Sequence, residues 1–380
     1  MEKQRTKQDQ VKKEPLLRLV KRDPLAVWKV VLIYAIAIFA SLVLSAIICT
    51  IFSSENPFKF FVSLLNGAVG SKRKIWVLLQ DTALLLGVGV ALVPAFKMKF
   101  WNLGGNGQIL VGCLAAISCM FYLGGKIPDP VLIVLMTLAS IAAGAVWGVL
   151  PAIFKAYFGT NESLFTLMLN YISAGLVSMF LTIWLKNGKT ALDPIKWGNF
   201  PDLFGNKYLL TVLVFFTLAV LMFIYLKYTK HGYEIAVVGD SPNTAKYIGI
   251  NVKRVIIRTM IISGALSGIV GLFLAGGIEH TIATDTANNM GFTAIMATWL
   301  AAFNPLVMMG TCFFIQFVSK GMVQVRGDFG FTNDSIANIV IGLVYFCVIA
   351  CSFFINYRVV FRKSGKKVSN TDKVKGGNKA

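Results

Sequence analysis

Long apolar runs recur from one end of this chain to the other, and no other feature constrains its fold as tightly. Most measure about 17–25 residues, the length a helix needs to cross roughly 30 Å of hydrocarbon at about 1.5 Å per residue. Only 14% of the 380 residues are charged, against about 25% in soluble domains. The runs therefore read as one polytopic membrane domain of the all-α class. Ten transmembrane helices are predicted, at 30–52, 76–96, 104–123, 129–150, 163–185, 208–227, 256–276, 290–303, 305–319 and 336–356. The first follows a polar leader and exceeds the apolar core of about 7–15 residues found in a signal peptide, so it reads as an uncleaved span.

The formal net charge is +20, but its distribution argues against nucleic acid as a partner. Lys and Arg gather before Val30 and after Asn356, with no soluble module to present a basic face. Basic residues flanking spans mark the cytoplasmic side and meet anionic lipid. With ten spans both tails share one side, and most Lys and Arg fall inside if that side is the cytoplasm. The expected layout is a basic leader over 1–29, a membrane domain over 30–356 and a basic tail over 357–380, in the plasma membrane. Six cysteines sit in apolar runs without a CxxC pair, and His231 and His280 lack metal-ligand spacing. Packing is the ordinary role for such cysteines, and no cofactor or metal is expected in this chain.

Three segments do not fit a plain bundle. "FWNLGGNGQILVG" (100–112) opens a span with glycines and carboxamides. The 290–303 segment is too short to cross hydrocarbon alone, and 305–319 follows it at once. Asn102-Leu103-Gly104 precedes a stretch ending Leu114-Ala115-Ala116, and Asn289-Met290-Gly291 precedes one ending Leu300-Ala301-Ala302. In this topology they run in opposite directions, as an inverted repeat requires, and paired Gly-interrupted short segments point to a transporter's central site. Irregular backbone at that depth must line a cavity or be covered by protein.

The longest internal polar stretch is "KYTKHGYEIAVVGDSPNTAKYIGINVKR" (227–254). Ser241 can cap a helix whose first residue is Pro242, and Gly249 can end it, which predicts a short helix over 242–248. Such a helix either rests on the membrane surface or docks into a partner. In this loop, "IAVVGDSPNTAKYIGINVKR" resembles the "RAVGxNPxAAxYAGINVKR" of ABC importer permeases in the simple-sugar and nucleoside branch, relatives of ribose and branched-chain amino-acid permeases. "FWNLGGNGQILVGCLAA" is similar to that family's "FNIGxEGQxxIGALAA". "FGTNESLFTLMLNYIS" resembles "FGVNEVIxTLMLNYIA", and "GFTAIMATWLAAFNPL" resembles "GFxxIAVALLGRxNPL". Two departures stand out: Asn106 replaces the family's Glu, and "WLAA", with Trp299, replaces "LLGR".

The resemblance implies a permease subunit with no chemistry of its own. ATP and Mg would belong to a cytoplasmic ABC ATPase, and this chain has no GxxxxGK[ST] loop. A second permease subunit, a different chain in the commoner arrangement, and an extracellular substrate-binding lipoprotein are the other implied partners. The ATPase would act on Gly239, Asp240, Ser241, Pro242, Asn243, Ala245 and Gly249. Substrate-pathway candidates are Asn102, Asn106, Gln108, Asn170, Tyr171, Asn289 and Trp299. Bland alternatives stand beside them. Asn170 and Tyr171 equally suit interhelical hydrogen bonding, Trp101 and Trp299 suit packing as well as stacking on a base or sugar, and Glu162 suits a helix N-terminus. Asp81 reads as an outer-interface acid, and Asn304-Pro305 as a turn. A secondary transporter would need ionisable residues in mid-span, and a membrane-embedded enzyme would need a catalytic cluster; neither pattern is evident.

Overall fold

A computed structural model describes residues 17–21, 27–53, 55–185, 191–331 and 335–361. Most of the expected leader and tail lies outside them. Eight described helices are long and apolar enough to cross a membrane, and 57–69, 290–300 and 338–351 are shorter apolar helical stretches. In order, the helices are α1 (Val27–Ser53), α2 (Pro57–Val69), α3 (Lys72–Lys97), α4 (Gly105–Leu123), α5 (Asp129–Phe158), α6 (Glu162–Trp184) and α7 (Leu209–Tyr228). Then come α8 (Lys230–Asp240), α9 (Pro242–Tyr247), α10 (Val252–Phe273), α11 (Met290–Leu300), α12 (Pro305–Asp328) and α13 (Ser335–Asn356). A π-helical turn, Leu274–Glu279, prolongs α10.

The chain divides into two compact units. One comprises Met1–Ser45 and Gly342–Ala380; within it strand β1 (Leu17–Lys21) pairs antiparallel with β2 (Tyr357–Phe361). This pairing lies in the flanks expected as leader and tail. The other unit, Ala46–Ile341, holds the core.

Helix α3 is the centre of that core, with every residue from Thr82 to Phe96 buried. Helices α2, α7, α10, α11 and α12 pack around it. A span buried on all sides must be apolar on all sides, and "LLLGVGVALVPAF" is. Helices α4, α5 and α10 meet through small residues: a β-carbon on Gly112 would lie 2.6 Å from the Gly268 Cα, and one on Gly148 would lie 2.6 Å from the Met260 carbonyl oxygen. Lipid tails provide no hydrophobic drive between helices, so close backbone approach at Gly and Ser supplies the packing.

Two helical segments fall outside the predicted spans. Helix α2 occupies an expected connection; the Asn56 side chain accepts from the Phe58 N–H at 2.9 Å, and Pro57 opens the helix. Helix α12 runs well past the expected end at 319 because its polar face is satisfied. Lys320 pairs with Asp81 of α3, and Gln324 accepts from Lys74 Nζ at 3.0 Å and donates to Asp328 at 2.8 Å.

Candidate functional site

The glycine-rich opening at 100–104 is an irregular strap leading into α4. Its carboxamides do different work. Asn102 is fully buried, and its Oδ1 accepts from the Gly104 N–H at 3.0 Å, turning the chain into the helix. Asn102 Nδ2 donates to Gln108 Oε1 and to Ser263 Oγ, each at 3.4 Å, and Ser267 donates to Gln108 at 3.1 Å. Asn102 and Gln108 thus fasten α4 to α10, satisfying buried polar groups within protein.

Asn170 of α6 clasps the other side of the strap. Its Oδ1 accepts from the Gly107 N–H at 2.8 Å, and its Nδ2 donates to the Leu103 carbonyl at 2.9 Å. Thr166, one turn earlier, accepts from the Leu103 N–H at 3.1 Å. The Gly107 N–H is one of those that the first turn of a helix leaves without an intrahelical partner, and the Leu103 groups belong to the strap just before that helix.

Asn106 faces a different segment. Its Oδ1 accepts from the Gly291 N–H at 2.7 Å, and a β-carbon on Gly291 would stand 2.6 Å from the Asn106 nitrogen. The starts of α4 and α11 therefore abut, joining the two Asn-x-Gly segments paired from sequence. Asn288 and Asn289 precede α11 in the left-handed region, at φ 40° and 54°, a conformation asparagine tolerates better than most residues. With 11 residues, α11 spans about 16 Å, roughly half the hydrocarbon depth.

Beside this junction lies a cavity of about 440 Å³. Asn106, Asn170, Tyr171 and Asn289 line it, as four of the seven pathway candidates; Asp285, Asn288 and Phe292 join them. Tyr171 is 69% exposed. Asn102 and Gln108 are held in the α4–α10 network behind this wall. Asp285 and Asn288 went unrecognised in the sequence, although "TIATDTANN" (281–289), dense in short polar side chains just before Gly291, carried the signal. The loop is pinned from outside α11: the Leu192 N–H donates to the Ile282 carbonyl at 3.3 Å, and the Ile195 N–H to the His280 carbonyl at 2.9 Å.

Trp299 stands elsewhere, in a closed quartet of rings. It stacks on Trp101 with centroids 5.3 Å apart and planes 20° apart, and it meets Phe303 edge-on at 5.7 Å. Phe96 completes the circuit, 5.7 Å from Trp101 and 6.3 Å from Phe303. Two other tryptophans sit apart: Trp76 stacks on Tyr208, and Trp184 Nε1 donates to the Tyr122 hydroxyl at 3.0 Å.

The 227–254 loop folds into α8 and α9. Ser241 Oγ accepts from the Thr244 N–H at 3.3 Å, Pro242 is the first residue of α9, and Gly249 follows its end at φ 83°. Ala245 is buried, whereas Pro242, Asn243, Lys246 and Tyr247 are exposed. Gly239 presses on the end of α3, where a β-carbon would collide with the Lys97 carbonyl oxygen. Arg258 of α10 pairs with Glu234 of α8 at 2.8 Å. Next to the elbow, a cavity of about 320 Å³ is lined by Gly239, Asp240, Pro242, Lys155 and Glu162. Asn161 caps α6 by accepting from the Ser163 and Leu164 N–H groups, and Glu162 pairs with Lys155 at 2.7 Å. Asn304 likewise caps α12, accepting from the Leu306 N–H at 3.0 Å, after Ala302 and Phe303 turn the chain at φ 48° and 61°.

Among the described residues no group of three or more His, Cys, Asp or Glu side chains is placed to hold a metal ion. The described site offers instead hydrogen-bonding amides beside a break in two helices.

Residues 76–357 match the family described as branched-chain amino acid transport system / permease component. The chain belongs to that family. Relatives of this permease include a nucleoside ABC transporter permease from Lactococcus lactis subsp. cremoris, 29% identical, with 91% of this chain and 97% of the relative covered. A guanosine ABC transporter permease from Bacillus subtilis is 27% identical over 89% of this chain and 98% of its own length. A glucose ABC transporter permease from Haloferax volcanii is 26% identical over 79% and 81%. No solved structure matches the permease. It is a transport component rather than an enzyme.

Proposed function

We propose that this permease is the membrane subunit of an ATP-driven ABC importer for nucleosides or simple sugars, working by alternating access. The observation that carries the reading is the cavity beside the abutting starts of α4 and α11. Freed helix termini and the carboxamides of Asn106, Asn170 and Asn289 give it hydrogen-bonding capacity. Tyr171 and Phe292 add rings on which a base or a sugar face can rest. Named nucleoside, guanosine and glucose permeases among the relatives support that substrate range.

In this reading α4 and the short helix α11 are oppositely directed counterparts in an inverted repeat, and both tails are cytoplasmic. The exposed face of α9 receives a separate ABC ATPase, which holds ATP and Mg. Residues 239–249 are the coupling element: ATPase closure moves α9, α8 follows, and Gly239 bears on the inner end of α3. A second, different permease chain completes the solute path, and an extracellular lipoprotein delivers the solute.

Reconstitution with the partner ATPase tests this. ATP-dependent uptake of a labelled nucleoside should be competed by purine or pyrimidine nucleosides or by ribose. Replacing Pro242 with Gly should leave the folded permease in place but cut ATP-dependent uptake at least about ten-fold. Purification without any ATPase, together with uptake that follows an ion gradient instead of ATP, would falsify the reading.

A further inference from the structure

A second cavity, of about 540 Å³, opens at the end of the molecule that carries α8 and α9. Its walls come from the last turns of α7, one face of α8 and the corner between α11 and α12. Lys97 and Lys227 line it together with Phe223, Tyr233, Ala236 and Phe303, and no acidic side chain does. Neither lysine has a carboxylate partner among the described residues. Asn304 and Pro305 add the N-terminus of α12, the positive end of a 24-residue helix dipole. Glu234, which follows the lining residue Tyr233 on α8, is already taken by Arg258.

Three sources of positive potential therefore converge on one recess, and the recess is not a purely aqueous one. Phe223 and Lys227 lie one turn apart on α7, and Val220, one turn further along the same stripe, is exposed. A water-soluble anion would use only the lysines. A ligand with an anionic head and an apolar tail would use the lysines and the α7 stripe together. Basic pockets between membrane helices at the cytoplasmic interface are the form such recognition takes.

We propose that this cavity binds the phosphate headgroup of an anionic phospholipid, its acyl chains lying along α7. The lipid wedges α8 against the α11–α12 corner, beside the Lys97 backbone on which Gly239 bears, and so steadies the elbow from which α9 projects. The proposal rests on the permease reading only for which leaflet supplies the lipid.

Native mass spectrometry of the purified full-length permease, titrated with phosphatidylglycerol and separately with phosphatidylcholine, tests it. One phosphatidylglycerol should be retained under conditions that strip phosphatidylcholine. The double variant Lys97→Gln/Lys227→Gln should weaken phosphatidylglycerol retention about 30-fold, at about five-fold per lysine. Ala236→Trp keeps both charges and fills the recess from its exposed wall, and should weaken retention comparably. Equal retention by the parent and by both variants, each eluting as a single folded species, overturns the proposal. Displacement of the lipid by equimolar glycerol 1-phosphate overturns it too, because the site would then be one for free phosphate. Loss of the co-purifying ATPase with lipid retention unchanged would assign the cavity to a protein contact and refute a lipid site. Lipid retention requires no uptake, so failure of the transport reading would leave its own separate signature.

Discussion

At the scale of single residues, the carboxamides around the α4 start divide into those that hold the wall and those that face the cavity. Asn170 does both, satisfying the Gly107 N–H and the Leu103 carbonyl while lining the recess. Asn170→Ala should orphan both backbone groups and lower stability by about 1–3 kcal/mol, read as a fall in thermal unfolding temperature in detergent. Asn106 separates structure from transport more cleanly. Its Oδ1 holds the Gly291 N–H, and it lines the cavity. Asn106→Asp keeps the acceptor and sets a negative charge at two helix N-termini, where the dipole favours it. That variant should unfold like the parent while its uptake changes, whereas Asn106→Ala should lose stability and uptake together. Equal stability loss in both variants would leave packing as the role of Asn106. The sequence flagged these residues because amides and glycines are costly in lipid, but it could not say which amide turned toward which neighbour. Asn102, Gln108 and Asn106 lie within seven positions of one another, and their partners on α10 and α11 are far away in sequence.

At the scale of elements, hydropathy found every long apolar helix and missed what polar partners permit. The end of α12 was hidden because its Lys320, Gln324 and Asp328 are good helix residues only once Asp81 and Lys74 answer them from α3. Helix α2 was hidden by its amphipathic pattern and short length. The α8–α9 elbow was legible through Ser241, Pro242 and Gly249, since capping chemistry is local. What was not legible is that Gly239 exists for close approach to Lys97. Gly239→Ala should force α8 off the end of α3, and a β-carbon meeting backbone has no flexible neighbour to displace. Uptake should fall more than ten-fold relative to Ala236→Ser on the exposed face of the same helix, compared at equal surface expression. The aromatic quartet permits a second element-scale expectation. Trp299, 50% exposed, makes two ring contacts worth about 0.5–1.5 kcal/mol each. Trp299→Ala should therefore cost about 1–3 kcal/mol and Trp299→Phe less, measured by thermal unfolding. A Trp299→Ala protein as stable as the parent would show that the rings merely touch.

At the scale of the whole molecule, the charge asymmetry read from sequence becomes a question of which end faces the cytoplasm. Two exposed side chains can answer it. Tyr247 on α9 is 91% exposed, and Phe204, in the connection before α7, is 96% exposed. The full span of α7 and the turn of α8 separate them along the chain, so the two positions belong to opposite faces in the ten-span topology. The native cysteines suit this test. Cys49, Cys113 and Cys312 are buried and Cys119, Cys347 and Cys351 are half-buried, all of them in helices. An impermeant thiol reagent should label Phe204→Cys in intact cells and should reach Tyr247→Cys only after permeabilisation. Labelling of Tyr247→Cys in intact cells would invert the molecule. The positive-inside argument would then fail, α9 could no longer meet a cytoplasmic ATPase, and the lysine-lined cavity would face the outer leaflet. One orientation thus ties together the charge distribution, the exposed helix α9 and the lipid site, which is why this measurement bears on all three at once.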